Sequence, residues 1–345
     1  MFSFSKKVSF GLDLSDLSLK IIQLKRKGER LSLVSSVKED LPAGLIQRGE
    51  IKQEKKLVTI LKGALKKIGG ESLRGRQVVC NLPEEKVFIR VIQLPRMKKE
   101  ELSQAVYWEA EAHIPLSINE VYLDWQIIEP IVNHPDHYDI LIAAAPQFLV
   151  DSYLNFFKKG DLEPIVLEPE SVALIHALIK ANDSKPTIIV DLGMSGTNFV
   201  IFSGVAIRFT SHITISGQLF NQAIMRDLKV DEKKANQLKI KNGLDEAKEK
   251  GKVYRALEPL VNDLAKQLED YMAFYNKDNK EIARILLCGG DSLLSNLPSF
   301  LSQKLNLPVT LGNPLVNIGK FSLSRKEALT WATTLGLAIR GLKHD

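Results

Sequence analysis

The sequence predicts an α/β protein of two similar halves, with a small α+β domain inserted in the first half and a helix-rich subdomain in the second. Three observations lead there. A strand–Asp–turn–strand unit near the N-terminus runs from Val8 through Gly11 and Asp13 to the turn Ser15-Asp16-Leu17-Ser18, then on through Lys20, Ile21 and Ile22. A second unit runs Ile188-Ile189-Val190-Asp191, turns at Gly193-Met194-Ser195-Gly196, and continues Thr197-Asn198-Phe199-Val200. Overlaying Asp13 on Asp191 puts Ser18 on Gly196 and Lys20 on Asn198, the mark of a duplication. Third, the buried-strand pattern Ile285–Cys288 enters Gly289-Gly290-Asp291-Ser292, and a helix follows from Ser295 or Asn296 with Pro298 in its first turn.

In order, the first hairpin continues into a meander strand (Leu31 to Val37) after the turn Gly28-Glu29-Arg30. Leu57, Ile60, Leu61, Ala64, Leu65 and Ile68 recur at helical spacing over 52–68, and Gln77–Cys80 reads as a short buried strand. Residues 1–82 are thus the first part of one half. Residues 83–162 read as the insert, a βαββα unit: a strand over 87–92 broken by Pro95, a helix over 98–113 stopped by Pro115, strands over 121–128 and 138–144, and a helix over 148–159. Residues 163–186 complete the first half and 187–345 form the second. Within it, 217–283 is helix-rich, punctuated by Gly243, Gly251 and Pro259.

β-branched and aromatic residues flanking a glycine-containing turn favour a hairpin. Gly193 and Gly196 permit positive φ, so several backbone N–H groups can point the same way, a nest that suits phosphate oxygens. Asp13 and Asp191 suit magnesium held through water. Gly289 and Gly290 let backbone approach a flat ligand. In the first turn, Ser15 can adopt positive φ only at a cost of about 1 kcal/mol, and Asp16 would add negative charge beside any phosphate unless it points to solvent or meets the metal.

The chain has 47 Lys and Arg against 41 Asp and Glu, a formal charge of +6, and 45% hydrophobic residues, as in an ordinary globular protein. The charge is uneven: residues 1–100 hold 22 basic and 11 acidic residues, so the remainder is net negative. The basic pairs suit an anionic membrane surface better than nucleic acid, since no aromatic residues interleave them. No apolar run approaches the ~18 residues of a membrane span. The N-terminal MFSFSKK lacks a signal-peptide core. Cys80 and Cys288 read as buried thiols, which with the missing signal points to the cytoplasm. His134 and His137, separated by Pro135, read as a turn rather than a metal site; His113, His176 and His212 receive no role.

Together the two hairpins and the Gly289-Gly290 step resemble the actin-like ATPase superfamily, whose fold has two ribonuclease-H-like halves with nucleotide in the cleft between them. Across residues 90–125, Arg90, Leu94-Pro95, Glu101-Leu102, Glu109-Ala110-Glu111, Ile114-Pro115, Glu120-Val121 and Asp124-Trp125 resemble the type IV pilus assembly protein PilM family at matching spacings. Glu168 to Leu174, Asn313-Pro314 with Ile318, and Leu335-Gly336-Leu337-Ala338 extend the resemblance over nearly the whole chain. It departs from the family at Ser15-Asp16, and at Ser216 and Asn221, where relatives show a second glycine and a threonine.

The resemblance implies an SHS2-like insert and ATP–Mg bound by Gly11, Asp13, Ser15, Ser18, Lys20, Asp191, Gly193, Ser195, Gly196, Thr197, Asn198, Gly217, Gly289, Gly290 and Asp291. Asp13 and Asp191 would hold magnesium, and Glu170 would position water for any slow hydrolysis. It further implies that the N-terminal cytoplasmic peptide of PilN lies in a groove between the first half and the insert. Attachment to the inner membrane would come through partners, in contact with other pilus assembly proteins, with self-association left open. The alternatives are an FtsA-like filament-forming ATPase, whose C-terminal anchor does not appear before Lys343-His344-Asp345, and a small-molecule kinase of the same superfamily.

Overall fold

The computed structural model describes residues 8–28, 30–71, 73–128, 136–204, 206–276, 281–319 and 323–342. The basic and aromatic N-terminal tip (Phe2, Phe4, Lys6, Lys7), the turn residues Asn133 to Pro135 and the terminal Lys343 to Asp345 lie outside them. The chain forms two compact units: Met1–Asp183 with Gly204–Thr210 and Asn313–Asp345, and Ser184–Ser203 with Ser211–Gly312.

The first unit opens with β1 (Ser9–Leu14), β2 (Ser18–Lys27) and β3 (Arg30–Asp40), an antiparallel meander. Helix α1 (Glu54–Lys67) crosses to β4 (Gln77–Leu82), which lies parallel to β1. The helix buries Leu57, Leu61 and Ala64, three of the six positions whose spacing predicts it.

The insert follows as β5 (Phe88–Pro95), α2 (Lys99–His113), β6 (Val121–Ile128) and β7 (His137–Pro146), ordered β5-β7-β6 in its own three-stranded sheet. Pro95 does not break β5; it is that strand's last residue, opposite His137. Ile92, Leu102, Val106, Ala110, Ile140 and Ile142 give the insert a core of its own.

Helix α3 (Gln147–Lys159) departs from the expected βαββα unit. Its Leu149, Tyr153, Phe156 and Phe157 are buried among Leu57, Leu61, Phe10 and Leu12, in the core of the first half. Four large apolar side chains on one helix face need a larger partner than a three-stranded sheet already covered by α2. β8 (Glu163–Pro169) then joins the main sheet beside β4, and α4 (Glu170–Leu178) follows. The sheet order is β8-β4-β1-β2-β3, with the short strand Gly69–Gly70 at its edge.

The second unit starts with β9 (Thr187–Leu192) and β10 (Thr197–Ser203); β11 (Ala206–Ile213) contributes its last three residues to this unit. Helices α5 (Gly217–Leu228), α6 (Glu232–Asn242) and α7 (Lys252–Asn276) make the helix-rich subdomain, with Pro259 inside α7 rather than ending it. β12 (Arg284–Cys288), α8 (Leu297–Leu305) and β13 (Val309–Leu311) complete it. β9 pairs antiparallel with β10 and parallel with β12, which is parallel to β13. β1 pairs in the same way with β2 and β4, and β4 with β8. The duplication read from two short hairpins therefore extends through four strands of each sheet.

The chain ends with α9 (Arg325–Leu329) and α10 (Ala332–Gly341), and here the expected boundary shifts: residues 313–345 belong to the first unit, not the second. The reason is close packing. A Cβ on Gly11 would lie 2.5 Å from the Ala338 nitrogen, and one on Gly336 would lie 1.8 Å from the Ala173 oxygen. The two glycines let α10 settle directly on β1 and against α4. Gly11 is thus required in mid-strand by packing. Among the described residues no helix is long and apolar enough to cross a membrane.

Candidate functional site

Each unit carries one of the two hairpin turns, and their backbones match. Asp13 faces Lys20 and Leu14 faces Leu19 across the first; Asp191 faces Asn198 and Leu192 faces Thr197 across the second. Each turn is closed by the N–H of its first residue donating to the carbonyl of its fourth: Ser15 to Ser18 at 3.0 Å and Gly193 to Gly196 at 2.9 Å.

Within the first unit the polar groups are engaged with one another. Lys20 Nζ lies 2.9 Å from Asp13 Oδ2, and the Thr334 hydroxyl from α10 donates to the same oxygen at 3.3 Å. Ser15 Oγ donates to the Ser18 carbonyl at 3.2 Å and lies 3.0 Å from Ser18 Oγ. Ser15 is not among the residues at positive φ, so that cost is not incurred; an ordinary turn closed by serine hydroxyls does not require it. The Asp16 carboxylate turns away to accept the Arg48 N–H at 2.8 Å and the Gly49 N–H at 2.9 Å. Arg48 (φ 50) and Gly49 (φ 75) are both left-handed, which makes their N–H groups converge on one anion. That nest satisfies the Asp16 carboxylate with two backbone donors.

Asn81, in β4, ties this turn to α4. Its side chain accepts from the Leu14 N–H at 2.9 Å and donates to Glu170 Oε1 at 3.0 Å. Glu170 is the first residue of α4, whose next N–H, from Ser171, donates to the buried Glu84 carboxylate at 2.9 Å. Carboxylates at this end complement the helix dipole. Beside Asp13, burial holds the Cys80 thiol well above its usual range, as expected of an inert core cysteine.

In the second unit neither Gly193 nor Gly196 has positive φ. The freedom that glycine permits is not used there; at Gly196 what requires glycine is space. A Cβ there would lie 2.2 Å from His212 Cε1 and 2.6 Å from His212 Nε2. That ring is fixed by Nδ1 at 2.7 Å from Asn198 Oδ1. The turn also holds the start of α5, since Gly217 N donates to the Gly193 carbonyl and Gln218 N to the Met194 carbonyl, both at 3.0 Å. Ser216 caps the helix by accepting from Leu219 N at 3.3 Å. Thr197 Oγ1 donates to the Ile215 carbonyl at 2.6 Å, while Ser195 is exposed at the tip.

Gly289 has φ +83, and its Cβ would meet Asp191 Oδ1 at 2.4 Å and the Leu192 carbonyl at 2.4 Å, so both conformation and space demand glycine. Burial and the adjacent Asp191 push the Cys288 thiol well up. Gly290 is exposed with open space beside it. Asp291 is buried and pairs with Lys239 Nζ at 2.5 Å; that ammonium also donates to the Gly217 carbonyl at 3.2 Å. Burial raises the Asp291 carboxyl above its ordinary value, and the lysine opposes the shift. A Cβ on Gly217 would lie 1.8 Å from Asp291 Oδ2, so that glycine too is required by the pair.

Asn81, Thr334, His212 and Lys239 were not singled out from the sequence. Lys239 could have been: Ala235, Leu238 and Asn242 bury the same face of α6, so a lysine there needs an internal acid. Among the described residues, no group of three or more His, Cys, Asp or Glu could hold a metal.

The family model described as type IV pilus assembly protein PilM matches residues 11–342. A solved structure titled PilM-PilN type IV pilus biogenesis complex is similar over 98% of this chain and 99% of that one, at 27% identity and a TM-score of 0.81. Ethanolamine utilization protein EutJ from Carboxydothermus hydrogenoformans matches over 98% and 91%, at 13% identity and TM-score 0.58. MreB 5 of Spiroplasma citri bound to AMPPNP matches over 99% and 98%, at 12% identity and TM-score 0.58. These last two share the fold, the actin-like one.

Proposed function

Because the chain belongs to the type IV pilus assembly protein PilM family, we propose that it is a pilus assembly scaffold that binds the N-terminal cytoplasmic peptide of PilN and is governed by ATP. The observation that carries the PilN part is the end-to-end similarity to the PilM-PilN complex. Attachment to the inner membrane would then come through that partner. The insert supports the reading chemically. β6 lies at the edge of its sheet, and the exposed Tyr122 and Ile127 on it, with Phe148 at the start of α3, offer backbone and apolar contacts to an extended segment.

The nucleotide part rests on the repeated turn. Lys20, Ser15 and Ser18 from one copy and Gly193, Ser195, Gly196 and Thr197 from the other are the groups that would meet phosphate, with Gly289 and Gly290 beside adenosine. Two carboxylates, Asp13 and Asp191, are hard oxygen ligands of the kind that hold a hydrated magnesium ion, which would neutralise phosphate charge. Lys20 then exchanges Asp13 for phosphate. Glu170, held by Asn81, is the carboxylate proposed to position water.

Titration calorimetry of the full chain with a synthetic PilN N-terminal peptide tests the first part. Saturable binding is expected, and absence of heat together with no displacement of a labelled peptide would overturn it. Fluorescent-ATP binding with and without magnesium tests the second. Lys20→Ala should weaken it at least tenfold, and equal affinity in wild type and variant would refute the assignment.

A further inference from the structure

Helix α1 holds Lys55, Lys56, Lys62, Lys66 and Lys67 against a single acid, Glu54, and all five lysines are exposed. Lys55, Lys62 and Lys66 follow one face at intervals of seven and four residues. Leu57, Leu61 and Ala64 anchor the opposite face in the core. The acids that could cancel this charge already have partners: Glu54 pairs with Lys159, Asp161 with Lys62 at 3.0 Å, and Glu39 with Lys67 at 3.0 Å. Lys55, Lys56 and Lys66 form no ion pair among the described residues. The stripe is therefore a net positive surface, not a mosaic of cancelling charges.

We propose that the exposed face of α1 rests on an anionic bilayer surface through Lys55, Lys56 and Lys66. The residue types choose this occupant. The stripe contains no arginine, whose planar fork reads a fixed carboxylate or phosphate; lysine ammoniums on long stems suit a diffuse field of headgroups. No aromatic side chain stands among them to stack on bases, which disfavours nucleic acid. From Lys55 to Lys66 the helix advances about 16 Å, enough to span several headgroups. The contact is independent of the PilN reading, and it would hold the scaffold beside whatever membrane-tethered partner it serves.

The test is cosedimentation of the full chain with vesicles of phosphatidylcholine alone or with 30% phosphatidylglycerol, no peptide being present. Binding is expected only to the anionic vesicles and should be lost at 0.5 M NaCl, where screening is short-ranged. Each lysine near an anionic surface contributes on the order of fivefold, so Lys55→Gln, Lys56→Gln, Lys66→Gln together should lower partitioning about a hundredfold. Glutamine keeps helix propensity, and an unchanged circular dichroism melt confirms the fold. Replacing Lys25, Arg26 and Lys27 by Gln, at the far end of β2, should leave binding within a few fold. Equal sedimentation with neutral vesicles, no sedimentation with anionic ones, or the same loss from both triple variants would overturn the proposal. So would a triple α1 variant that binds like wild type. Because the vesicles carry no pilus protein, failure here leaves the peptide titration unaffected, and the reverse.

Discussion

Gly196→Ala separates two explanations of a turn glycine. If glycine were needed for its backbone, alanine would be penalised whatever lay nearby. The backbone of Gly196 is not in the positive-φ region, so alanine can adopt it, with a small gain from reducing unfolded-state freedom. The obstacle is the His212 ring, 2.2 Å from the added carbon. Moving the ring breaks its 2.7 Å contact with Asn198, worth about 1 kcal/mol, and overpacking adds about 1–3 kcal/mol. Gly196→Ala should therefore destabilise by roughly 2–4 kcal/mol, and His212→Ala by about 1–2 kcal/mol. The double variant should cost little more than His212→Ala alone, a coupling of about 2–4 kcal/mol in the rescuing direction. Hydrogen exchange of peptides covering 187–203 reads this locally, without requiring the whole chain to unfold in one step. Additive effects of the two substitutions would refute the steric account.

Three further outcomes follow from side chains around the two turns. Asp16→Ala removes the acceptor of the Arg48 and Gly49 N–H groups and should cost about 2–3 kcal/mol in urea unfolding, with faster proteolysis near residue 48, whereas Asp16→Asn should recover part of it. Lys52 and Lys86 hold the Glu50 carboxyl down at about 2, so its contribution is complete above the unfolded value near 4.5 and fades as pH falls towards 2. The pair is partly exposed, so the loss is about 1 kcal/mol, and Glu50→Gln should flatten that part of the stability–pH curve. Lys239→Met strands the buried Asp291 carboxylate at a cost of about 3–5 kcal/mol, and adding Asp291→Leu should restore most of it. Burial already raises the Asp291 carboxyl, so the folded state takes up its proton first and the Lys239→Met deficit should shrink on acidification.

What could be read from the sequence was what depends on period and local chemistry. The two hairpins and the strand–glycine step are encoded by continuous apolar runs beside short polar turns, and each lies where those runs put it. The meander, α1 and the insert's strands follow the same logic. What was not legible depends on contacts distant in sequence. Helix α3 looks like the last element of the insert because it is contiguous with it, yet Tyr153, Phe156 and Phe157 find the core around Leu57. The return of 313–345 to the first unit is announced only by glycines, and a glycine in a strand does not say which helix will press on it. The Asp16 nest needs residues 48 and 49, and the fixed His212 ring needs a strand outside the hairpin.

The two turns show how a duplicated backbone can serve different chemistry. Their pairing and closing hydrogen bonds are the same, so the four-residue geometry constrains neither copy's side chains. In the first copy the residue across from the aspartate is Lys20, and a cation 2.9 Å from a buried carboxylate needs no external ion to balance it. In the second copy the residue across from Asp191 is Asn198, which is engaged with His212. In the proposed nucleotide reading, phosphate would meet the two copies differently. The first would have to surrender an existing ion pair, whereas the second has an asparagine, not a lysine, across from its aspartate. In that reading, affinity for a phosphate ligand would depend on how readily Lys20 leaves Asp13. Replacing the lysine would remove both the competitor for the carboxylate and the point charge proposed for the phosphate, whereas Thr334→Val withdraws only the Asp13 hydrogen bond from α10. Thr334→Val should thus alter nucleotide binding far less than Lys20→Ala in the same fluorescent-ATP titration, and equal losses would mean that Asp13's orientation, not Lys20's charge, governs the first copy.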